Sequence, residues 1–224
     1  MTGKRLKNIY KNIDVTKSYD IKSAIAVLKE NAKAKFDESV DIAMNLNIDA
    51  SKTDQGVRGS VELPYGTGRK TVIAVIARGD KASEAKDAGA DIIGAEDVIE
   101  TIKKGKIDFD ACIASPDMMG LLGQVAKVLG PRGLMPNPKL GTVTLDVAGV
   151  VKSLKAGRVN YKNDKGGVVH AIVGKTSFDA KKLEENINMF IETVESARPS
   201  GVKGKFVKSV YVSTTQGVSL MLQA

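Results

Sequence analysis

Thr71-Val72-Ile73-Ala74-Val75-Ile76-Ala77 is a continuous apolar run of strand length, and its place at the head of a repeating pattern decides the fold. Asp80 to Ala88 has helical composition, Ala90-Asp91-Ile92-Ile93-Gly94 makes a second short strand, and Glu96 to Lys104 a second helix ending at Gly105. Asp110-Ala111-Cys112-Ile113-Ala114 is a third strand. Ser115 then stands at an N-cap with Pro116 at the first helical position, a favoured pairing. This helix is expected to carry Met118, Leu121, Leu122, Val125 and Leu129 on one side and to stop at Gly130-Pro131. Repeated βα units with wholly apolar strands predict a parallel sheet covered by helices on both faces, since such strands offer no face to water.

The flanks carry a different period. Ile21, Ile25, Leu28 and Ala32 make a helical stripe. Val40, Ile42, Met44, Leu46 and Ile48 then alternate with Asp41, Ala43, Asn45, Asn47 and Asp49, a strand with one face buried and one wet, typical of antiparallel sheets. Val57 to Leu63 is a further strand, closed by Pro64. Near the C-terminus, Gly167 to Val173 reads as a strand, and Ser177 as the cap of a helix with Leu183, Ile187, Phe190, Ile191 and Val194 inward. Strands at Val207 to Thr214 and Val218 to Leu222 complete the chain. Neither flank has enough apolar surface for a core of its own. The expected fold is therefore an α/β two-domain chain: a split α+β sandwich domain, 1–66 plus 159–224, with the βα domain, 67–158, inserted into it. Two chain crossings, near Pro64-Tyr65-Gly66 and Gly157-Arg158-Val159, would form a hinge that favours relative domain motion.

Composition narrows the function. The 224 residues carry a net charge of +8, which suggests an acidic partner, most often nucleic acid or an anionic membrane surface. No apolar run reaches the length of a spanning helix, and no membrane partner is expected. Lys4, Arg5, Lys7 and Lys11 have no apolar segment behind them, so the N-terminus does not read as a secretory signal. A single cysteine, Cys112, excludes an internal disulfide and fits a reducing compartment; a single histidine, His170, leaves little room for a zinc site. No metal or cofactor is expected.

Gly130-Pro131-Arg132-Gly133-Leu134-Met135-Pro136-Asn137-Pro138-Lys139-Leu140-Gly141-Thr142-Val143 holds three of the six prolines. No acidic residue lies between Asp117 and Asp146, while Lys127, Arg132 and Lys139 are cationic. This is a stiff, positive loop, suited to an anionic partner or simply a solvated connection. A second basic segment comes late: after Glu195 no acid appears, while Arg198, Lys203, Lys205 and Lys208 do. It is either a phosphate-attracting loop or a charged edge that guards a strand. Gly66-Thr67-Gly68-Arg69-Lys70-Thr71 fails as a phosphate loop, because its glycine spacing is wrong and it enters a strand instead of leaving one for a helix. Cys112 lies in an apolar strand and reads as an inert core residue. His170 shares a face with Val168 and Ile172, as a packed or a surface histidine. Phe36, in Lys35-Phe36-Asp37-Glu38-Ser39, fits a core position by periodicity; an aromatic beside a lysine fits an RNA surface equally. Ser213-Thr214-Thr215-Gln216-Gly217 is a hydroxyl-rich hairpin turn able to meet ribose and phosphate, or a plain turn. On the binding reading, Thr215→Val is expected to weaken specific binding with little loss of stability. No acid/base pair, triad or metal cage assembles.

Lys35-Phe36-Asp37-Glu38, Val57-Arg58-Gly59 with Leu63-Pro64-Tyr65-Gly66-Thr67-Gly68, the loop Gly130 to Val143, Gly157-Arg158-Val159, Asp164-Lys165-Gly166-Gly167 with Val169-His170, and Lys208-Ser209-Val210-Tyr211 occur in that order. Together they resemble the ribosomal protein L one family of the large subunit's mobile stalk, in its bacterial form, over nearly the whole chain. The resemblance implies a split α+β domain with an inserted Rossmann-like domain and a hinge. It implies binding to large-subunit ribosomal RNA at the stalk base, help in releasing deacylated tRNA from the exit site, and repression of the protein's own operon mRNA. It implies a cytoplasmic, ribosome-associated protein, monomeric off the ribosome, that is not an enzyme. Family RNA contacts carry over to Lys35, Phe36, Asp164, Lys165, Gly166, His170, Ser213, Thr215 and Gly217. Gln216 stands where the family usually has methionine and is included as a contact: it can lie flat and hydrogen-bond if the methionine supplies only apolar packing, and affinity drops if the methionine's shape is essential. Arg132 and Lys139 are further candidates. The rival is a nucleotide-binding enzyme using the βα domain, which predicts a glycine-rich turn after the first strand; Arg78-Gly79-Asp80-Lys81 lacks that spacing.

Overall fold

A computed structural model describes residues 5–6, 9–10, 13–14 and 17–223; Lys4, Lys7 and Lys11 of the basic N-terminus lie outside them. In chain order the elements are β1 (Ser18–Tyr19), α1 (Ile21–Asn31), β2 (Ser39–Leu46), β3 (Arg58–Glu62), β4 (Ile73–Ile76), α2 (Asp80–Asp87), β5 (Ile92–Gly94), α3 (Glu96–Lys103), β6 (Ala111–Ala114), the short helices α4 (Met119–Leu122) and α5 (Ala126–Leu129), α6 (Val147–Ala156), β7 (Arg158–Lys162), β8 (Val168–Lys175), α7 (Ala180–Ser196), β9 (Val207–Thr214) and β10 (Ser219–Leu222). The result is a mixed α/β protein. Its residues fall into two compact units, 1–68 with 159–224, and 69–158.

The first unit is built on a five-stranded sheet in the order β1-β10-β9-β2-β8. β1 runs parallel to β10, and the remaining pairs are antiparallel. In β2 the period of two holds throughout: Val40, Ile42, Met44 and Leu46 are buried, while Ser39, Asp41, Ala43 and Asn45 are half-exposed. The buried face packs on Ala24, Ile25 and Leu28 of α1 and on Leu183, Ile187, Phe190 and Val194 of α7. β3 does not join this sheet. It pairs with β7 in a separate two-stranded sheet, where Gly59 passes so close to the Tyr161 ring that a Cβ there would lie 2.7 Å from its hydroxyl. The Tyr161 ring meets Phe190 edge-on at 5.7 Å.

Asn186 ties this unit together from inside. Its fully buried Nδ2 donates to the Gly66 carbonyl (2.9 Å) and the Val173 carbonyl (2.8 Å), and its Oδ1 accepts from the Tyr65 amide (3.2 Å). The backbone of the Pro64-Tyr65-Gly66 segment is thereby fixed to α7 and β8.

The second unit holds a parallel three-stranded sheet, β5-β4-β6. Val143 extends it by an isolated parallel bridge to Ala114. Both faces of β4 are buried, as its unbroken apolar run requires. Ile73 and Val75 pack with Ala85, Val147, Val151 and Leu154, while Ala74 and Ile76 pack with Ile99, Ile102, Met118 and Leu122.

Several local expectations need correction. The single helix expected from Ser115 to Leu129 is broken into alternating 3₁₀ and α turns; Gly120 and Gly123, with their high entropic cost in a helix, lie inside it. Ser115 makes no side-chain cap. Ser177 does not cap α7 either: the cap position is Asp179, and the Ser177 hydroxyl donates to Asp37 instead. β1, β7 and α6 are additional to the elements expected from the sequence. The signal for α6 is present in Val147, Val150, Val151 and Leu154, and Asp146 caps it by accepting from the Gly149 amide at 2.9 Å.

Candidate nucleic-acid interface

The antiparallel register of β2 and β9 sets Val40 opposite Thr214 and Asp41 opposite Ser213. This brings the Lys35-Phe36 segment, which leads into β2, beside the β9–β10 turn that holds Thr215, Gln216 and Gly217. Two neighbouring carboxylates then fasten the segment on both sides. Glu38, only 1% exposed, accepts from the Gln216 amide (2.9 Å) through Oε2 and from the Ala34 amide (3.2 Å) through Oε1. Asp37 accepts from the Thr176 hydroxyl (2.9 Å), the Ser177 amide (3.1 Å) and the Ser177 hydroxyl (2.7 Å), all beyond the end of β8. With both acids directed at protein donors, Lys35 and Phe36 are left outside. The Phe36 ring is 51% exposed, which decides between its two readings: it is not a core residue.

The two carboxyls are tuned by these contacts. The Ser177 hydroxyl is the chief cause that holds Asp37 below its ordinary range. For Glu38 burial is the largest single influence and pushes the carboxyl up, but the hydrogen bonds, led by the Gln216 amide, together outweigh it and leave the group lowered.

The hairpin is fixed from within. Thr215 Oγ1 accepts from the Ser39 amide at 2.9 Å, and the Thr215 amide donates to the Ser39 carbonyl at 3.1 Å. The Gln216 carbonyl accepts from the Arg5 guanidinium, so the backbone of Gln216 is held at both ends while its side chain is exposed. At Gly217 a Cβ would lie 2.1 Å from the Thr214 hydroxyl, so no larger residue fits this turn unchanged. The Thr215 bond alters one expectation. Thr215→Val removes the acceptor of an amide at a strand junction and is expected to cost about 1 kcal/mol of stability, measurable by denaturant unfolding; a midpoint equal to that of the parent would show the bond to be dispensable.

Asp164, Lys165 and Gly166 form a second cluster at the other end of the sheet. In β8 Val168 faces Asn45 and Lys175 faces Ser39, so the turn before β8 lies seven residues along the strand from the hairpin end, about 23 Å at the usual rise. The Asp164 carboxylate accepts from the Gly166 and Val168 amides, each at 2.8 Å. The Val168 amide is the largest cause of its lowered pKa. His170 is exposed, opposite Ala43, with Nε2 3.8 Å from Asp164 Oδ2. It stands on the sheet face away from the helices, beside the second cluster. Asp41 lies on that face too. Burial pushes its carboxyl up, against the opposing effect of Lys175 and His170.

Sequence reasoning did not single out Glu38 or Asp41 as parts of this surface. The alternation did put Asp41 on the wet face; nothing in the sequence shows that Glu38 is buried. Arg132 and Lys139 are exposed on the proline loop of the 69–158 unit, which Asn137 shapes by accepting from the Lys139 amide at 2.8 Å.

Among the described residues the βα unit lacks the glycine-rich turn that the nucleotide-binding rival predicts. The turn after β4 has the single glycine Gly79, and Glu96, just beyond β5, is paired with Arg78. Burial pushes the Cys112 thiol up to about 12, far from a nucleophile's range. Among the described residues no group of three or more His, Cys, Asp or Glu is placed to hold a metal ion, and no helix is long and apolar enough to cross a membrane.

Comparison with known proteins identifies the family. The family described as ribosomal protein L1p/L10e matches residues 28–218, from α1 to the β9–β10 turn. The large ribosomal subunit protein uL1 of Aliivibrio fischeri (strain ATCC 700601 / ES114) is 53% identical over 219 residues, 98% of this chain and 94% of the relative. A match that runs through both units and through every segment of the two clusters leaves one conclusion: the chain belongs to the ribosomal protein L1p/L10e family, whose members are structural components of the ribosome and not enzymes.

Proposed function

We propose that the chain binds large-subunit ribosomal RNA at the base of the mobile stalk through the surface that Lys35, Phe36, Ser213, Thr215, Gln216 and Gly217 make at one end of the five-stranded sheet. Asp164, Lys165, Gly166 and His170 supply a second group of contacts. The observation that carries this reading is the pair of carboxylates, Asp37 and Glu38, whose bonds into neighbouring strands leave an aromatic and a cation exposed beside a rigid, hydroxyl-bearing turn. An exposed ring stacks on a base or sugar, and lysines meet phosphates. The lowered pKa of Asp164, whose Oδ1 accepts from two amides, fits a role in shaping the turn that presents Lys165.

The organisation we infer is a split α+β domain, 1–66 plus 159–224, with an inserted Rossmann-like domain, 67–158. The two compact units support it, with boundaries two residues later at the first crossing and between Arg158 and Val159 at the second. On this reading the split domain stays on the RNA while the inserted one swings and assists release of deacylated tRNA from the exit site; Arg132 and Lys139 are its candidate RNA contacts. The same surface would repress the protein's own operon mRNA by binding a similar RNA fold. The protein would be cytoplasmic, ribosome-associated, and monomeric off the ribosome.

The test is binding to a stalk-base RNA fragment against an unrelated hairpin of equal length, over a salt series. Specific recognition predicts preference for the fragment at every salt concentration; equal affinity for both defeats it. Phe36→Ala is expected to weaken binding to the fragment by about 1–3 kcal/mol, the usual range for loss of a stacked aromatic. Its thermal melting should stay at the parent value because the ring is already in solvent. An unchanged dissociation constant would remove Phe36 from the site.

A further inference from the structure

The chain after Glu195 contains no acid, and the structure shows what its cations do. Arg198 is spent inside the loop, where its Nη2 donates to the carbonyls of Val202 (2.8 Å) and Gly204 (3.0 Å). Val202 and Phe206 are buried, and the Asn47 amide donates to the Phe206 carbonyl at 2.7 Å. The loop is therefore anchored, with Lys203 and Lys205 exposed between its apolar anchors.

At the start of β9 the register with β2 slips. Asn45 faces Ser209 and Leu46 faces Val207, so Lys208 is the extra residue of a β-bulge, and it is exposed. Bulges of this kind re-aim a side chain. Leu46 also donates its amide to the Gly167 carbonyl at 3.0 Å. The end of β2 is thus flanked by the Asp164–Gly167 turn on one side and by Val207-Lys208 on the other, two strand spacings apart, about 10 Å. Among the described residues none forms an ion pair with Lys165, Lys203, Lys205 or Lys208. Glu195 lines a recess of about 320 Å³ with Arg198 and Lys205, and the Asp164 carboxylate is directed at backbone amides. The edge-guard reading of these lysines fails for Lys208, because β9 lies between β10 and β2 and is not an edge.

We propose that Lys203, Lys205 and Lys208, with Lys165, form a phosphate-backbone contact at the end of the sheet away from the hairpin, extending the RNA footprint along the whole length of β2. The inference rests on the RNA-binding reading above. It assigns these lysines affinity and salt dependence without sequence preference, since phosphates are alike in every sequence.

The experiment uses the full chain with all three lysines replaced (Lys203→Gln, Lys205→Gln, Lys208→Gln) and the stalk-base RNA fragment. At about 0.1 M salt its affinity should fall by about a hundredfold, and the slope of log affinity against log salt should become shallower by about two, each phosphate contact contributing roughly 0.7–0.9. Preference for the fragment over an equal-length hairpin should persist, and the triple Lys→Arg variant should keep the parent slope. If the triple Gln variant melts early, Lys208→Gln alone is used, with an expected slope change of about 0.7–0.9. An unchanged slope in a folded variant, from a parent that still prefers the fragment, overturns the inference and spares the RNA reading. A parent without that preference overturns the reading itself.

Discussion

Glu38→Ala is expected to lower the unfolding free energy by about 3 kcal/mol and to weaken RNA binding by at least about tenfold. The carboxylate is all but inaccessible and satisfies two amides, those of Ala34 and Gln216, from two separate segments. Truncation leaves both donors without their acceptor, and charge-assisted bonds of this kind are the stronger class. The functional loss would come from geometry alone, because the segment presenting Phe36 and the turn presenting Gln216 lose their common tie. Glu38→Gln keeps a single good acceptor and should fall between parent and Ala variant. Equal stability in all three proteins would show that the tie contributes nothing.

The same tie gives a pH dependence with a definite sign. Asp37 and Glu38 both have pKa values lowered on folding, from ordinary values of 3.8 and 4.5. Their contribution is fully present above those ordinary values and is lost as pH falls through the lowered, folded-state values. Melting of the parent should therefore decline steeply in acid, and Glu38→Ala should show a shallower decline over the same range. A parallel decline would place the acid sensitivity elsewhere.

Asn186→Leu is the second large effect expected, a loss of about 3 kcal/mol. Leucine repeats the branching of the side chain with bulkier methyl groups and satisfies none of the three backbone groups that Asn186 serves at Tyr65, Gly66 and Val173. Because Asn186 is fully buried, the Gly66 and Val173 carbonyls have no ready access to water as a substitute. The Pro64-Tyr65-Gly66 crossing should loosen first, visible as faster amide hydrogen exchange at Tyr65, whose N–H is the bonded donor. Exchange at Tyr65 as slow as in the parent, with stability intact, would sink this account.

Much of this protein is legible as pattern. The period of two in β2, the unbroken apolar run of β4 and the helical stripes of α1 and α7 each name a buried face, because burial of apolar area is a property of the residues themselves. The stripe of α6 in the second unit is of the same kind, although its strand-like valines mask it. The break within 116–129 is less clearly legible, since glycine weakens a helix without dictating where its turns tighten.

The sequence by itself determined which faces are apolar, where the basic stretches lie, and, through its ordered motifs, the family. Only the tertiary structure decided that Phe36 is outside and Glu38 inside, that Ser177 serves Asp37 and not a helix, that β3 leaves the main sheet for β7, and that a register slip aims Lys208 outward. The physical reason is the same in each case: apolar burial depends on local composition, whereas the partner of a polar group is set by which distant strands and loops the chain brings within hydrogen-bonding reach.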